Sequence, residues 1–247
     1  MTNEAWPPPP PALDLPPGVL HLWRATLDRP EAVRSQCWAW LSQEERERAG
    51  KFRFENGRFH YIVGRGLLRG LLGRYLNSPP DSLRFAYGPQ GKPHLIDYAQ
   101  ISFNIAHGQG KLLLGFCRDA DLGVDIEQIR LPRRADRVAH RFFAPAEYAA
   151  FAAAPPEQQA EVFFNCWTRK EAYIKATGEG LACPLHQFEV SLGVGETAVL
   201  HSIRGSAELA AAWSLYSLTP FPGYRGAALV AGQGWQVVCY DGDGLTL

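Results

Sequence analysis

From residue 19 to 27 the chain reads VLHLWRATL, with apolar and polar positions taking turns as they do along a β-strand. Residues 42–76 follow another rhythm. Ser42 with Glu45 three residues later is a capping-box start. From Tyr61 to Leu76 the apolar residues Ile62, Leu67, Leu68, Leu71, Leu72 and Tyr75 recur at helical spacing, so this stretch is expected to be mostly helix. Turn signals at Gly88-Pro89 and Gly91 then open a β-rich region. ISFNIAH (101–107) and KLLLGFC (111–117) flank GQG as the arms of a hairpin, and GVDIEQI (123–129) reads as a further strand. The second half repeats this order. A helix over about 133–154 and another over 161–177 precede the β segments FEVSL, AVLHSI, WSLYSL and GAALVAG. Each half is thus helices followed by an antiparallel meander ending in a small apolar strand. This predicts an α+β fold of two similar halves, 18–120 and 121–247, with a seam near 118–123.

Ahead of them, WPPPPPALDLPP (6–17) cannot form a helix or an inner strand, so residues 1–17 are expected to be an extended proline-rich tail. A spacer is the simplest reading of it, and a proline-motif ligand the alternative. The composition, 46% hydrophobic and 12% aromatic, is enough for a substantial core. Twenty-five basic and 25 acidic residues cancel, so no whole-molecule field points to nucleic acid or an anionic membrane. Any affinity for phosphate must come from a local cluster. Met1-Thr2-Asn3-Glu4 lacks the basic and apolar regions of a secretory signal, and no apolar run approaches a membrane span. The five cysteines (37, 117, 166, 183 and 239) are odd in number and form no C-x-x-C, which argues against a zinc site and a disulfide framework. A soluble, reduced, cytoplasmic protein is expected.

The charged residues then raise a question of chemistry. Asp125 and Glu127, two apart in a strand, project from one face, with Val124 and Ile126 on the other. The plain reading is the polar side of a half-exposed sheet. Adjacent carboxylates repel, however, and a cation is the usual remedy. Oxygen ligands alone favour a hard ion such as Mg²⁺, which fills its shell with water and substrate phosphate. Downstream, WTRKEAYIKATGEGL (167–181) sets Glu171 and Lys175 four apart on one helical face, with Trp167 in the same row. An exposed ion pair there would contribute only about 0.2–0.5 kcal/mol. As a third carboxylate, Glu171 would join the first two, and Lys175 would face the same phosphates. Trp167 is expected to fix the helix against the sheet, and Gly178 to Gly180 to end it. His107 ends a strand in FNIAHG, and Lys92 sits on the stiff turn GPQGKP. Arg46, Arg48, Lys51, Arg53 and Arg58 are interleaved with Glu44, Glu45 and Glu47, the pattern of a solvated amphipathic face.

Taken in order, GKP (91–93), FNIAH (103–107), GVDIE (123–127), RFFAPAEY (141–148) and WTRKEAYIKATGEGL resemble the 4′-phosphopantetheinyl transferases of the large, surfactin-synthetase (Sfp) type, over roughly residues 20–230. The resemblance implies two similar α+β halves related by a pseudo-twofold axis, with the active site between them. It also implies transfer of the phosphopantetheine arm of coenzyme A to a serine of an acyl, polyketide or peptidyl carrier protein, releasing 3′,5′-ADP. By the same resemblance Asp125, Glu127 and Glu171 are Mg²⁺ ligands and Lys175 holds the α-phosphate and assists the leaving group. His107 and Lys92 contact the coenzyme's phosphates, and Arg48 lies near its 3′-phosphate. The serine proton goes to Glu171, Glu127 or a metal-bound water. RFFAPAEY resembles the helix beside the carrier-docking groove, where mixed apolar and basic contacts are expected. Internal pseudo-symmetry implies a monomer.

Two positions depart from the family pattern. Ala106 stands where a serine often precedes the histidine, and Glu45 stands where some members have a second basic residue three before Arg48. The 3′-phosphate is therefore expected to rely on Arg48 with Arg53 or Arg58. The competing readings are a Mg²⁺-dependent phosphohydrolase or nuclease using the same carboxylates, and a non-catalytic module that binds coenzyme A or a carrier.

Overall fold

The computed structural model describes residues 5–180 and 183–245, so Met1 to Glu4, and Leu181 at the end of the WTRKEAYIKATGEGL motif, lie outside the described residues. The hairpin expected around GQG is the middle of the molecule. β4 (Ile101–Gly108) and β5 (Lys111–Arg118) pair antiparallel along their whole length. Gln109 (φ 46°) and Gly110 (φ 77°) turn the chain between them. Two successive left-handed residues give the turn a twist that matches the strands it joins.

β1 (Val19–Thr26) pairs antiparallel with β5, and β11 (Gln236–Asp241) lies parallel to β1, giving the order β11-β1-β5-β4. The alternating stretch at 19–27 does form a strand, but an inner one: Leu20, His21, Leu22 and Trp23 are all buried. His21 is tolerated there because its Nδ1 meets the Tyr75 hydroxyl at 2.8 Å. LLLGFC (112–117) is continuously apolar because β5 is covered on both sides. Leu112, Leu114 and Phe116 pack on Leu67, Leu68, Leu71 and Leu72 of α3 (Glu55–Leu76). Leu113 and Cys117 face the other way, onto Leu122 and Val124.

The helical region 42–76 is two helices. α2 (Gln43–Gly50) opens with the expected capping box, Ser42 Oγ accepting from Glu45 N and Glu45 Oε2 from Ser42 N. Residues 51–54 separate it from α3. A helix that the sequence reading did not identify, α1 (Glu31–Trp40), lies against α3. Gly66 permits that approach, since a Cβ there would stand 2.3 Å from the Cβ of Cys37.

In the second half, β6 (Leu122–Gln128), β10 (Tyr224–Ala231) and β9 (Trp213–Leu218) form an antiparallel sheet in the order β6-β10-β9. α6 (Gln159–Thr177) lies on it so closely that a Cβ on Gly123 would come within 2.0 Å of the Ala172 carbonyl oxygen. The single helix expected over 133–154 is in fact α4 (Ala135–Phe142) and α5 (Pro145–Ala153). Pro145 excludes helical backbone at Ala144 and itself starts the second helix. Glu147 secures the start by accepting from Ala144 N at 2.7 Å. Short antiparallel pairs complete the fold, β2 (Phe85–Tyr87) with β3 (Pro93–Leu95) and β7 (Phe188–Val190) with β8 (Leu200–Ile203). The architecture is α+β, as the order of elements predicts.

The described part of the proline-rich segment is no free spacer. Pro7 O accepts from Asp241 N (2.8 Å), Pro11 O from Arg74 (3.0 Å) and Leu15 O from Arg118 (2.5 Å), and the Leu15 side chain is buried. The segment is thereby tied to β11, α3 and β5. Trp167 is half-buried, stacks on Phe163 and against Phe142 of α4, and packs on the core cluster that includes Ala227 and Leu229 of β10.

Candidate active site

The close approach of β6 to α6 decides the site. Val124 and Ile126 go into the core, which turns Asp125 and Glu127 to the opposite face. There Asp125 is almost wholly buried (4% exposed) and its Oδ1 accepts from Lys175 Nζ at 2.5 Å. Lys175 thus pairs across to the strand rather than along its own helix to Glu171. The other oxygen, Asp125 Oδ2, is buried without a hydrogen-bond partner. Burial, reinforced by the charge of Asp125, pushes the Glu127 carboxyl up to about 7. The same two causes, in the same order, raise Glu171. Three carboxylates therefore share one ammonium, and the site is short of positive charge.

Glu171 and Lys175 form one wall of a cleft of about 700 Å³. His107 of β4 and Lys92 of the β2–β3 turn line it, as does Arg48, exposed at the end of α2. Arg48, Lys92 and His107 thus meet Glu171 and Lys175 at one cleft, while Asp125, reached through Lys175, and Glu127 are not among its described lining residues. Lys92 is tied down: its Nζ donates to the Ala176 carbonyl (2.7 Å), completing the C-terminal end of α6. Burial lowers its pKa, against the pull of Asp121 and Cys117. The His107 pKa is lowered by the enclosing protein and then by the charges of Lys175 and His60. β4 and β6 are held in register by Asn104, whose Oδ1 accepts from Val124 N at 2.9 Å.

Arg53 and Arg58 are not brought in. Among the described lining residues Arg48 is present and these two are absent. Both are exposed, Arg53 over the Phe54 ring and Arg58 over Trp38, so neither of the two expected helpers of Arg48 lines the cleft with it. Their short loop and first helical turn point them outward. The cleft instead contains His60, Asn104 and Arg65, none of which was picked out from the sequence. Arg65 and Arg69, four apart within the apolar stretch GRGLLRG, were the available signal, because buried arginines need partners.

Among the described residues no three His, Cys, Asp or Glu side chains form a group able to hold a metal ion as they stand. Mg²⁺ does not demand such a cage, since it binds through one or two carboxylates and completes its shell with water and phosphate oxygens. The unpartnered Oδ2 of Asp125 and the raised carboxyls of Glu127 and Glu171 have the donor chemistry and charge deficit that suit it.

Residues 121–229 match the model of the 4′-phosphopantetheinyl transferase superfamily, and residues 23–115 match that of the 4′-phosphopantetheinyl transferase N-terminal domain. The 4′-phosphopantetheinyl transferase HetI of Nostoc sp. (strain PCC 7120) is 40% identical over 239 residues, covering 96% of this chain and 98% of that protein. The 4′-phosphopantetheinyl transferase Sfp of Bacillus subtilis (strain 168) is 30% identical over 175 residues, 70% of this chain and 77% of that one. A holo-(acyl-carrier-protein) synthase from Bacillus anthracis str. Ames, solved in complex with CoA (3′,5′-ADP), aligns at a TM-score of 0.37 and 20% identity over 45% of this chain and 94% of that chain. The similarity to HetI runs through both halves and nearly the whole length, and by it this chain belongs to the 4′-phosphopantetheinyl transferases.

Proposed function

We propose that the cleft binds coenzyme A and that its phosphopantetheine arm is transferred there to a serine of an apo carrier protein, with 3′,5′-ADP leaving. The serine oxygen attacks the phosphorus that bears the pantetheine arm, and the bond from that phosphorus to the bridging oxygen breaks. Glu171, the carboxylate that lines the cleft, takes the serine proton. Lys175 moves its ammonium from Asp125 toward the α-phosphate and stabilises the negative charge that builds on the leaving group. His107, Lys92 and Arg48 hold the coenzyme's phosphates from the first half of the chain. Asp125, Glu127 and Glu171 are the residues that would hold Mg²⁺, whose bound charge neutralises the pyrophosphate. In this reading Arg48, Lys92 and His107 on one side and Glu171 and Lys175 of α6 on the other are the two walls of one site, and the protein acts as a monomer.

One observation carries the proposal: the Lys175 ammonium holds a buried carboxylate whose other oxygen is unpartnered, with two further raised carboxylates around it, beside a cleft lined with cations. The test is to incubate the protein with coenzyme A, Mg²⁺ and a panel of apo acyl, polyketide and peptidyl carriers, and to weigh the products by mass spectrometry. One phosphopantetheine per carrier is expected, and its loss when EDTA replaces Mg²⁺. Release of 3′,5′-ADP with every carrier unmodified would favour a hydrolase, and no change in either would sink the transfer reading.

A further inference from the structure

Glu45 stands three residues before Arg48, where some members of the family carry a basic residue, and its surroundings show what an acid does there. It is buried (3% exposed) between two guanidinium groups. Arg65 donates to its Oε1 from Nε (2.8 Å) and Nη2 (2.5 Å), and Arg69 donates to its Oε2 from Nε (2.7 Å). Burial alone would raise its pKa, but Arg65 and Arg69 pull harder and hold the carboxyl below its usual range. One negative and two positive side chains leave a surplus positive charge in the interior, which is costly unless an anion completes it.

The two arginines are not equivalent. Arg69 is spent on the fold, since its Nη1 donates to the Pro80 and Leu83 carbonyls. Arg65 lies over the Phe85 ring (4.7 Å) and lines the cleft together with Arg48, Tyr61 and Tyr87. A guanidinium fixed along one edge by a carboxylate and backed by a ring keeps a set orientation, which is the arrangement that suits phosphate.

We propose that Arg65 contacts a phosphate group of the coenzyme and that Glu45 is the positioning residue that aims it. The inference rests on the transferase reading of the cleft. It also accounts for the acid at position 45: Glu45 replaces a direct cation by orienting another one from α3, and Arg53 and Arg58 are not needed.

The test uses the full chain in steady-state kinetics with coenzyme A and with 3′-dephospho-coenzyme A, against one carrier. Arg65→Met is expected to raise KM for coenzyme A about tenfold, the loss of one charge-assisted phosphate contact, with kcat within twofold. Arg65→Lys keeps a cation beside Glu45 and should fall between Met and wild type, and it carries the test should Arg65→Met not fold. Glu45→Gln retains the capping box yet loosens Arg65, so KM should rise with kcat held. If the Arg65 effect disappears with 3′-dephospho-coenzyme A, the group contacted is the 3′-phosphate. If it persists, the group is the pyrophosphate. A KM for coenzyme A within twofold of wild type in the folded Arg65 variants, or a fall in kcat alone, would overturn the proposal. Failure of the wild-type protein to modify any carrier would instead refute the transferase reading itself.

Discussion

Lys170 and Lys175 lie on one helix, each paired with an acid, and they end with opposite tasks. Lys170 is wholly buried (0% exposed). Its ammonium reaches Glu147 at 2.8 Å and the carbonyls of Leu185 and Phe188 at 2.8 and 2.6 Å. Glu147 in turn accepts from the backbone nitrogens of Ala144 and Val190, both at 2.7 Å. Donors and acceptors match, so the pair locks α5 and β7 to α6 and has nothing left for a ligand. Lys175, five residues on and so on another side of the helix, faces the cleft. It satisfies one oxygen of Asp125, leaves the other unpartnered, and is asked to offset Glu127 and Glu171 as well. The difference separates two uses of a buried pair: a balanced one holds the fold together, and an unbalanced one has the charge deficit that the proposed site requires.

The largest effect should come from breaking the balanced pair. Lys170→Met strands Glu147 in the interior and is expected to cost about 3–5 kcal/mol of stability in denaturant unfolding. Adding Glu147→Gln should recover part of that loss. An unchanged unfolding midpoint for Lys170→Met would erase the contrast. On the other side of the helix, Glu171→Gln should lower kcat/KM for carrier modification at least about a hundredfold, near 3 kcal/mol, with the unfolding midpoint unchanged or higher. Near-normal turnover by this variant, with Mg²⁺ as the sole metal, would remove Glu171 from the chemistry.

A smaller effect concerns pH. The Glu127 carboxyl titrates at about 7 in the folded chain against an ordinary 4.5. Between those values the native state keeps a proton that the unfolded chain has released, so the group's contribution to stability declines as pH rises through that window. For a half-exposed group the decline should amount to about 1–2 kcal/mol, read as the difference between wild type and Glu127→Gln melted in EDTA. Mg²⁺ should raise the melting temperature of the wild type more above this window than inside it. Equal Mg²⁺ shifts at both ends would show that no cation relieves these carboxylates. Smallest is the change at exposed Arg48: Arg48→Ala should raise KM for coenzyme A about three- to tenfold with little change in kcat. A constant KM would take Arg48 out of the coenzyme site.

Much of this was legible in the chain because it is local. Gln109-Gly110 between two apolar runs specifies a hairpin turn, and Ser42 with Glu45 specifies a helix start, whatever the rest of the protein does. The motifs carrying Asp125, Glu127, Glu171 and Lys175 identified a family that the similarity to HetI then established. Less was legible where distant segments meet. Gln236–Asp241 has no periodicity that points to a parallel partner more than two hundred residues earlier, yet it pairs with Val19–Arg24. Pro145 divides a helix that apolar spacing alone runs together. Nothing in the local sequence points to the partner of Arg65, because Glu45 comes from another helix.

The sequence by itself determined much of the alternation of elements, the turns and caps, and most of the candidates for binding phosphate and a hard cation. These depend on spacings of two to four residues, over which backbone geometry leaves few choices. Tertiary structure alone decided which charges face one another. It joined Lys175 to Asp125 rather than to Glu171, buried Lys170 against Glu147, turned Arg53 outward and brought Arg65 in. The energy of a charge depends on its partners and its distance from water, and both are set by segments that are remote in the chain and adjacent only after folding.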